Sequence, residues 1–68
     1  MNKPNREYAI EYTVDNYYDD CGYITNLHSM LDVNRAISKL KKLYGKRIVK
    51  LDYKLFEENE LVKHVTVI

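Results

Sequence analysis

The chain has no tryptophan, one cysteine, one proline and two glycines in 68 residues, and each scarcity closes off a class of protein. The single Cys21 excludes an internal disulfide and suits a reducing compartment. With only Gly22 and Gly45, no glycine-rich loop can be built to cradle a phosphate. No apolar run approaches the ~18 residues that span a bilayer. The opening Met1-Asn2-Lys3-Pro4-Asn5 lacks the apolar core of a secretory signal, so a cytoplasmic protein is expected. The length allows one domain at most, near the lower limit for a single stable core. Ordering the backbone alone costs on the order of 70–140 kcal/mol, so nearly every apolar side chain must be used.

Charge is present in both signs and is sorted along the chain. Up to Asp32, Lys3 and Arg6 face Glu7, Glu11, Asp15, Asp19, Asp20 and Asp32, a local net of −4. From Val33 to Phe56, eight basic residues face Asp52 alone, a net of +7, and the remainder carries −2. The formal net of +1 therefore hides two fields of opposite sign, which steer partners.

Residues 1–5 read as a disordered tail and 6–68 as one α+β interaction domain. Tyr8, Ile10, Tyr12 and Val14 alternate with Glu7, Ala9, Glu11 and Thr13, the period of a half-buried strand. After a polar connection from Asp15, Gly22 is expected to supply a positive φ in a bulged hairpin. Tyr23 to His28 reads as a second strand, with Tyr23, Thr25 and Leu27 on one face and Ile24 on the other. Val33, Ala36, Ile37, Leu40, Leu43 and Tyr44 form one apolar helical stripe. Ser29 to Asp32 has capping-box spacing, although Asp32 could itself be the N-cap; Gly45 fits the left-handed position past the helix end. Val49, Leu51, Tyr53 and Leu55 give a third strand, Glu57 to Glu60 a turn, and Leu61 to Ile68 a fourth strand. There Leu61, Val65 and Val67 are placed on one face, with Val62 and Ile68 on the other.

The order β-β-α-β-β predicts a two-layer α+β unit, a four-stranded antiparallel sheet of order 2-1-3-4 under one helix. The expected core is Tyr8, Ile10, Tyr12, Val14, Leu27, Val33, Ile37, Leu40, Tyr44, Val49, Leu51, Tyr53 and Leu55. Glu7, Glu11, Lys50, Asp52 and Lys54 then form a solvated opposite face.

Nothing in the pattern points to catalysis. Cys21, His28 and His64 are nucleophile and base types, but no spacing brings them within hydrogen-bond reach with a third orienting group. Asp19, Asp20, Cys21, His28 and His64 lack the paired spacing of a structural metal site, so no metal or cofactor is expected. A sizeable substrate pocket is not expected either, because helix stripe and sheet face should consume each other.

Three surfaces are candidates for binding. Asp15, Tyr17, Tyr18, Asp19 and Asp20 put stiff aromatic contact area among carboxylates in a long turn, suited to a basic partner surface. Arg35, Lys39, Lys42 and Lys46 fall on one helix side and suit nucleic acid or an acidic partner. Val62, His64, Thr66 and Ile68 mark an exposed edge through which a homodimer is expected.

A short β-β-α-β-β chain with the acidic, tyrosine-bearing hairpin Asp15 to Asp20 and no catalytic set resembles small phage-encoded inhibitors of host enzymes. Uracil-DNA glycosylase inhibitors and several anti-CRISPR proteins are of this type. The resemblance covers architecture, size and charge. It implies a non-enzymatic protein-binding module that occludes a host nucleic-acid enzyme in a bacterial cytoplasm. The richness in lysine, asparagine, isoleucine and tyrosine fits an AT-rich phage or bacterial coding sequence. The basic helix departs from an all-acidic DNA mimic. A small nucleic-acid-binding regulator and a structural accessory subunit are the alternatives.

Overall fold

The computed structural model describes residues 5–15 and 20–68, Asp20 through its backbone only. Strand β1 (Arg6–Val14) and strand β2 (Asp20–Leu27) lead to helix α1 (Met30–Tyr44). A 3-10 turn (Gly45–Arg47) then feeds β3 (Ile48–Glu57) and β4 (Glu60–Thr66). The sheet is antiparallel throughout, in the order β2-β1-β3-β4, with one helix on one face. It is the expected α+β architecture.

Alternation in β1 sends Tyr8, Ile10, Tyr12 and Val14 toward the helix, and their partners Leu55, Tyr53 and Leu51 on β3 share that face. Ile10, Leu51, Val14 and Val33 are fully buried, and Leu40 and Ile48 complete the centre. Burying each such side chain stabilises by about 1.5–3 kcal/mol. Tyr8 packs tilted against Tyr53, and Tyr12 stacks on Tyr44 at 6.0 Å between ring centres.

Helix α1 has both ends specified. Ser29 is the N-cap: its hydroxyl accepts from the Asp32 backbone N–H at 3.2 Å. Asp32 instead lends its carboxylate to the positive end of the helix and accepts from the His28 N–H. At the far end Gly45 takes φ 54, and its N–H donates to the Lys41 carbonyl.

Two bulges overturn face assignments made from simple alternation. In β3, Thr13 lies opposite Lys50 but Val14 lies opposite Ile48, so Val49 is an extra residue. Ile48 therefore enters the core, and Val49, expected there, is 53% exposed. In β2, Ile10 faces Ile24 and Tyr8 faces Leu27, so two residues are spent against Ala9. Asn26 absorbs the kink at φ 62 and donates its N–H to Glu7 Oε1. Ile24 and Leu27 thus both face the helix, and Tyr23 and Thr25 lie on the other side.

Gly22 has a different purpose from the expected turn. It lies within β2 opposite Tyr12, at no positive φ, and a Cβ there would sit 2.3 Å from the Tyr12 ring. Glycine is needed for room. A third irregularity lies between β3 and β4, where Leu55 faces Lys63 but Phe56 faces Leu61. Leu61 and Val65 consequently lie on opposite faces, correcting the expectation that they share one. The connecting turn is Glu58–Asn59, both at positive φ, as a tight hairpin turn requires. Asn5, assigned to the tail, exchanges hydrogen bonds with Glu58 and so belongs to the folded unit.

Candidate partner-binding groove

One helix does not cover four strands: α1 packs against β1, β2 and β3, and where it meets β2 the packing is incomplete. A groove of about 500 Å³ runs between α1 and β2. Its sheet wall is Tyr12, Ile24 and Leu27, and its helix wall is Ala36, Leu40, Leu43 and Tyr44. Leu43, the last leucine of the apolar stripe, hangs over it at 71% exposure. The expectation that helix and sheet would leave no sizeable pocket is therefore corrected. Gly22 contributes to the groove by letting the Tyr12 ring lie flat across β2 and against Tyr44.

Charge along the groove is ordered. Asp32 lies at the N-terminal end of the helix, already engaged by the His28 N–H, and Arg35 and Lys39 line the middle. Neither cation forms an ion pair among the described residues. The groove thus combines an apolar floor with an uncompensated basic rim, and an amphipathic anionic segment would complement it. Lys42 and Lys46, the other members of the expected cationic stripe, are exposed on α1 and the following turn but do not line it.

The face of the sheet away from the helix is not simply solvated. Asp52, expected there in water, is 3% exposed, and its Oδ2 is hydrogen-bonded to His64 Nε2. The second carboxylate oxygen, Oδ1, is buried with no partner among the described residues. Asp52 lies opposite Glu11 on one side and Thr66 on the other, and among the described residues His64 is the side chain that bonds its carboxylate. A smaller hollow of about 280 Å³ on this face has Tyr23 and Phe56 as aromatic walls. Glu11 lines that hollow, paired with Lys54 at 3.6 Å and within 3.4 Å of the Tyr23 hydroxyl, and Glu7 beside it accepts the Asn26 N–H.

The nucleophile and base types stay apart. Cys21 lies opposite Thr13 at one end of β2, and His28 lies past the other end, holding the Arg6 carbonyl through Nδ1 at 3.1 Å. Seven residues of strand separate them, about 23 Å at 3.3 Å per residue. His64, on β4 opposite Lys54, has β1 and β3 between it and β2. Among the described residues no group of three His, Cys, Asp or Glu side chains could hold a metal ion, and no helix is long and apolar enough to cross a membrane.

Of the acidic-aromatic turn, Tyr17, Tyr18 and Asp19 lie outside the described residues, as does the Asp20 side chain. Asp15 is exposed, and its N–H donates to the Arg47 carbonyl at 2.6 Å. That contact sets the acidic turn's first residue beside the basic Gly45–Arg47 segment, so the two charge fields meet at one end of the sheet. On the β4 edge, Val62 lies in the bulge, and Thr66 and His64 share the face of Asp52. His64 is committed to Asp52, and the Ile68 N–H donates to the Leu51 carbonyl.

Comparison of the chain with protein-family models, curated proteins and solved structures returns no match. The site therefore rests on its own geometry. Sequence reading found its cations, Arg35 and Lys39, but not the groove beside them. The available signal was Leu43, an apolar residue hemmed by lysines at the end of a stripe that had already filled its core.

Proposed function

We propose that this chain is a non-enzymatic protein-binding module that acts by occluding a partner, in the manner of small inhibitors of host nucleic-acid enzymes. The observation that carries this reading is the groove between α1 and β2, with its apolar floor and with Arg35 and Lys39, which form no ion pair among the described residues. A chain this short has little apolar surface to spare, so leaving Leu43 exposed beside a concave apolar wall forgoes stability that binding would recover. The scattered positions of Cys21, His28 and His64 support a binding role over a catalytic one.

The test is site-specific photocrosslinking in bacterial lysate, with the crosslinker at position 43 or, as control, at exposed position 49. Capture of the same protein from 43 but not from 49, lost on Arg35→Glu with Lys39→Glu, is the expected result. The inhibitor reading further expects that protein to be a nucleic-acid enzyme whose activity falls when the chain is added. Equal capture from both positions removes the groove from consideration.

Binding of nucleic acid is the second reading, favoured by the solvent exposure of Arg35, Lys39, Lys42 and Lys46. It expects duplex affinity that falls steeply with salt and is lost on Lys42→Glu with Lys46→Glu.

A further inference from the structure

Resting on the protein-binding reading above, we infer that the groove takes an extended segment of the partner, added as a fifth strand along the outer edge of β2. The segment's helix-facing row carries carboxylates for Arg35 and Lys39 and a bulky apolar side chain for the space under Leu43.

Three observations select this occupant. The first is the edge. β2 ends the sheet order, and among the described residues no strand pairs with its outer backbone groups. An added strand would satisfy them, as in other cases where main-chain bonds supply affinity and alternate side chains supply specificity.

The second is size. The helix wall from Asp32 to Tyr44 runs about 18 Å at 1.5 Å per residue. A volume of about 500 Å³ over that length leaves a mean section of about 28 Å². A strand added at the β2 edge fills such a slot with one row of side chains. At about 3.3 Å per residue, five or six residues span the groove and send about three side chains into it.

The third is charge spacing. Arg35 and Lys39 are one helical step of four apart, about 6 Å along the axis. Side chains at i and i+2 on a strand repeat at about 6.6 Å, so two successive helix-facing carboxylates meet both cations. Asp32 at the opposite end repels a third carboxylate and fixes where the acids stop.

The experiment is selection from a displayed library of eight fully randomised residues against the intact chain. Strand addition expects a consensus of period two, with acids at i and i+2 and a leucine-sized or aromatic side chain next in that row. The selected peptide should lose at least tenfold in affinity with Arg35→Glu and Lys39→Glu, and much less with Lys41→Glu and Lys46→Glu, which change the same charge outside the groove. Methylating alternate peptide amides should abolish binding, and bound peptide should slow amide exchange in residues 20–27 but not 60–66. A consensus of helical period, a basic consensus, no enrichment, or protection of β4 instead each overturns the inference. Should crosslinking from position 43 still capture one protein while no period-two consensus emerges, the binding reading stands and strand addition does not.

Discussion

β2 and β4 are the two outer strands of one sheet, each paired on one side only, yet their side chains treat that exposure in opposite ways. β4 places Lys63 on the helix side, opposite Leu55, in the middle of the strand. A bulge at Val62 breaks its register, and His64 is drawn across to Asp52 on the other face. An inward charge and a bulge are devices that discourage strands of other molecules from docking. β2 also has a bulge, but Asn26 uses it to return Leu27 to the helix side, so that Ile24 and Leu27 both line an apolar wall. The same irregularity closes one edge and furnishes the other. What differs is whether the residue after the bulge is charged or apolar, and whether the helix lies close enough to leave a groove.

The largest effect should come from the joint that both edges share. Ile48 closes the core where β3 meets β1, and Ile48→Ala should cost about 2–5 kcal/mol by chemical denaturation. Val49→Ala, one position along, should stay within about 0.5 kcal/mol because that side chain faces water. Reversal of that order would remove the bulge and the face assignments built on it.

Next comes the β4 edge. His64→Ala strands a buried carboxylate whose second oxygen already lacks a partner, at a cost of about 1–3 kcal/mol. Amide exchange should quicken in residues 60–66 and stay unchanged in 20–27. Replacing both partners, Asp52→Val with His64→Val, should recover most of the loss, since an apolar pair leaves no charge to desolvate. A double variant as unstable as the single one would mean that His64 acts through packing, with no role for its hydrogen bond to Asp52.

These contrasts also mark how far the sequence could be read. Strand order, the helix and both of its ends were legible because alternation in β1, the stripe from Val33 to Tyr44, and Gly45 each agree with a single local geometry. The faces of β2 and β4, and Val49, were misread for one shared reason. A bulge adds a residue that alternation cannot see, and a shift of one sends every later side chain to the other face. Asn26 was a clue, since asparagine tolerates the positive φ a kink requires, but nothing local told it apart from an ordinary polar strand residue. Gly22 was recognised as special for the wrong reason, because its need for space arises only once Tyr12 is known to lie opposite. Asp52 was taken for a solvated residue because its partner is twelve positions away on the next strand. The cations of the groove were legible from their helical spacing; its floor depends on how far one helix reaches across four strands, and no single segment encodes that.

At the β2 edge the decisive variant is Gly22→Ala. The added carbon would collide with the Tyr12 ring, which must shift and so disturb its stacking on Tyr44 and the groove floor. Overpacking relieved by one side chain should cost about 1 kcal/mol, less than the change at His64. It should also weaken any groove-bound peptide, while leaving exchange in β4 unaltered. If stability and peptide affinity both match the parent chain, the Tyr12 ring does not form the floor.

The smallest expected change in stability belongs to the variant that bears most on the comparison. Lys63→Val alters an exposed side chain and should move folding stability by no more than about 0.5 kcal/mol. Its effect should appear in solution mass, because β4 already exposes Leu61 and Val62, Val67 and Ile68 just past it are exposed too, and the lysine is the one charge its middle turns toward the helix side. Without it the strand offers a continuous apolar edge of the kind that pairs with copies of itself. Sedimentation velocity over a concentration series should therefore show more self-association than the parent chain, and Lys63→Glu should not. Charge reversal at Lys63 keeps the barrier while removing any specific role of lysine, so the two variants separate charge from residue identity. Equal self-association of all three chains would mean that the bulge at Val62, and not the inward charge, governs the β4 edge, and the contrast with β2 would then rest on the helix alone.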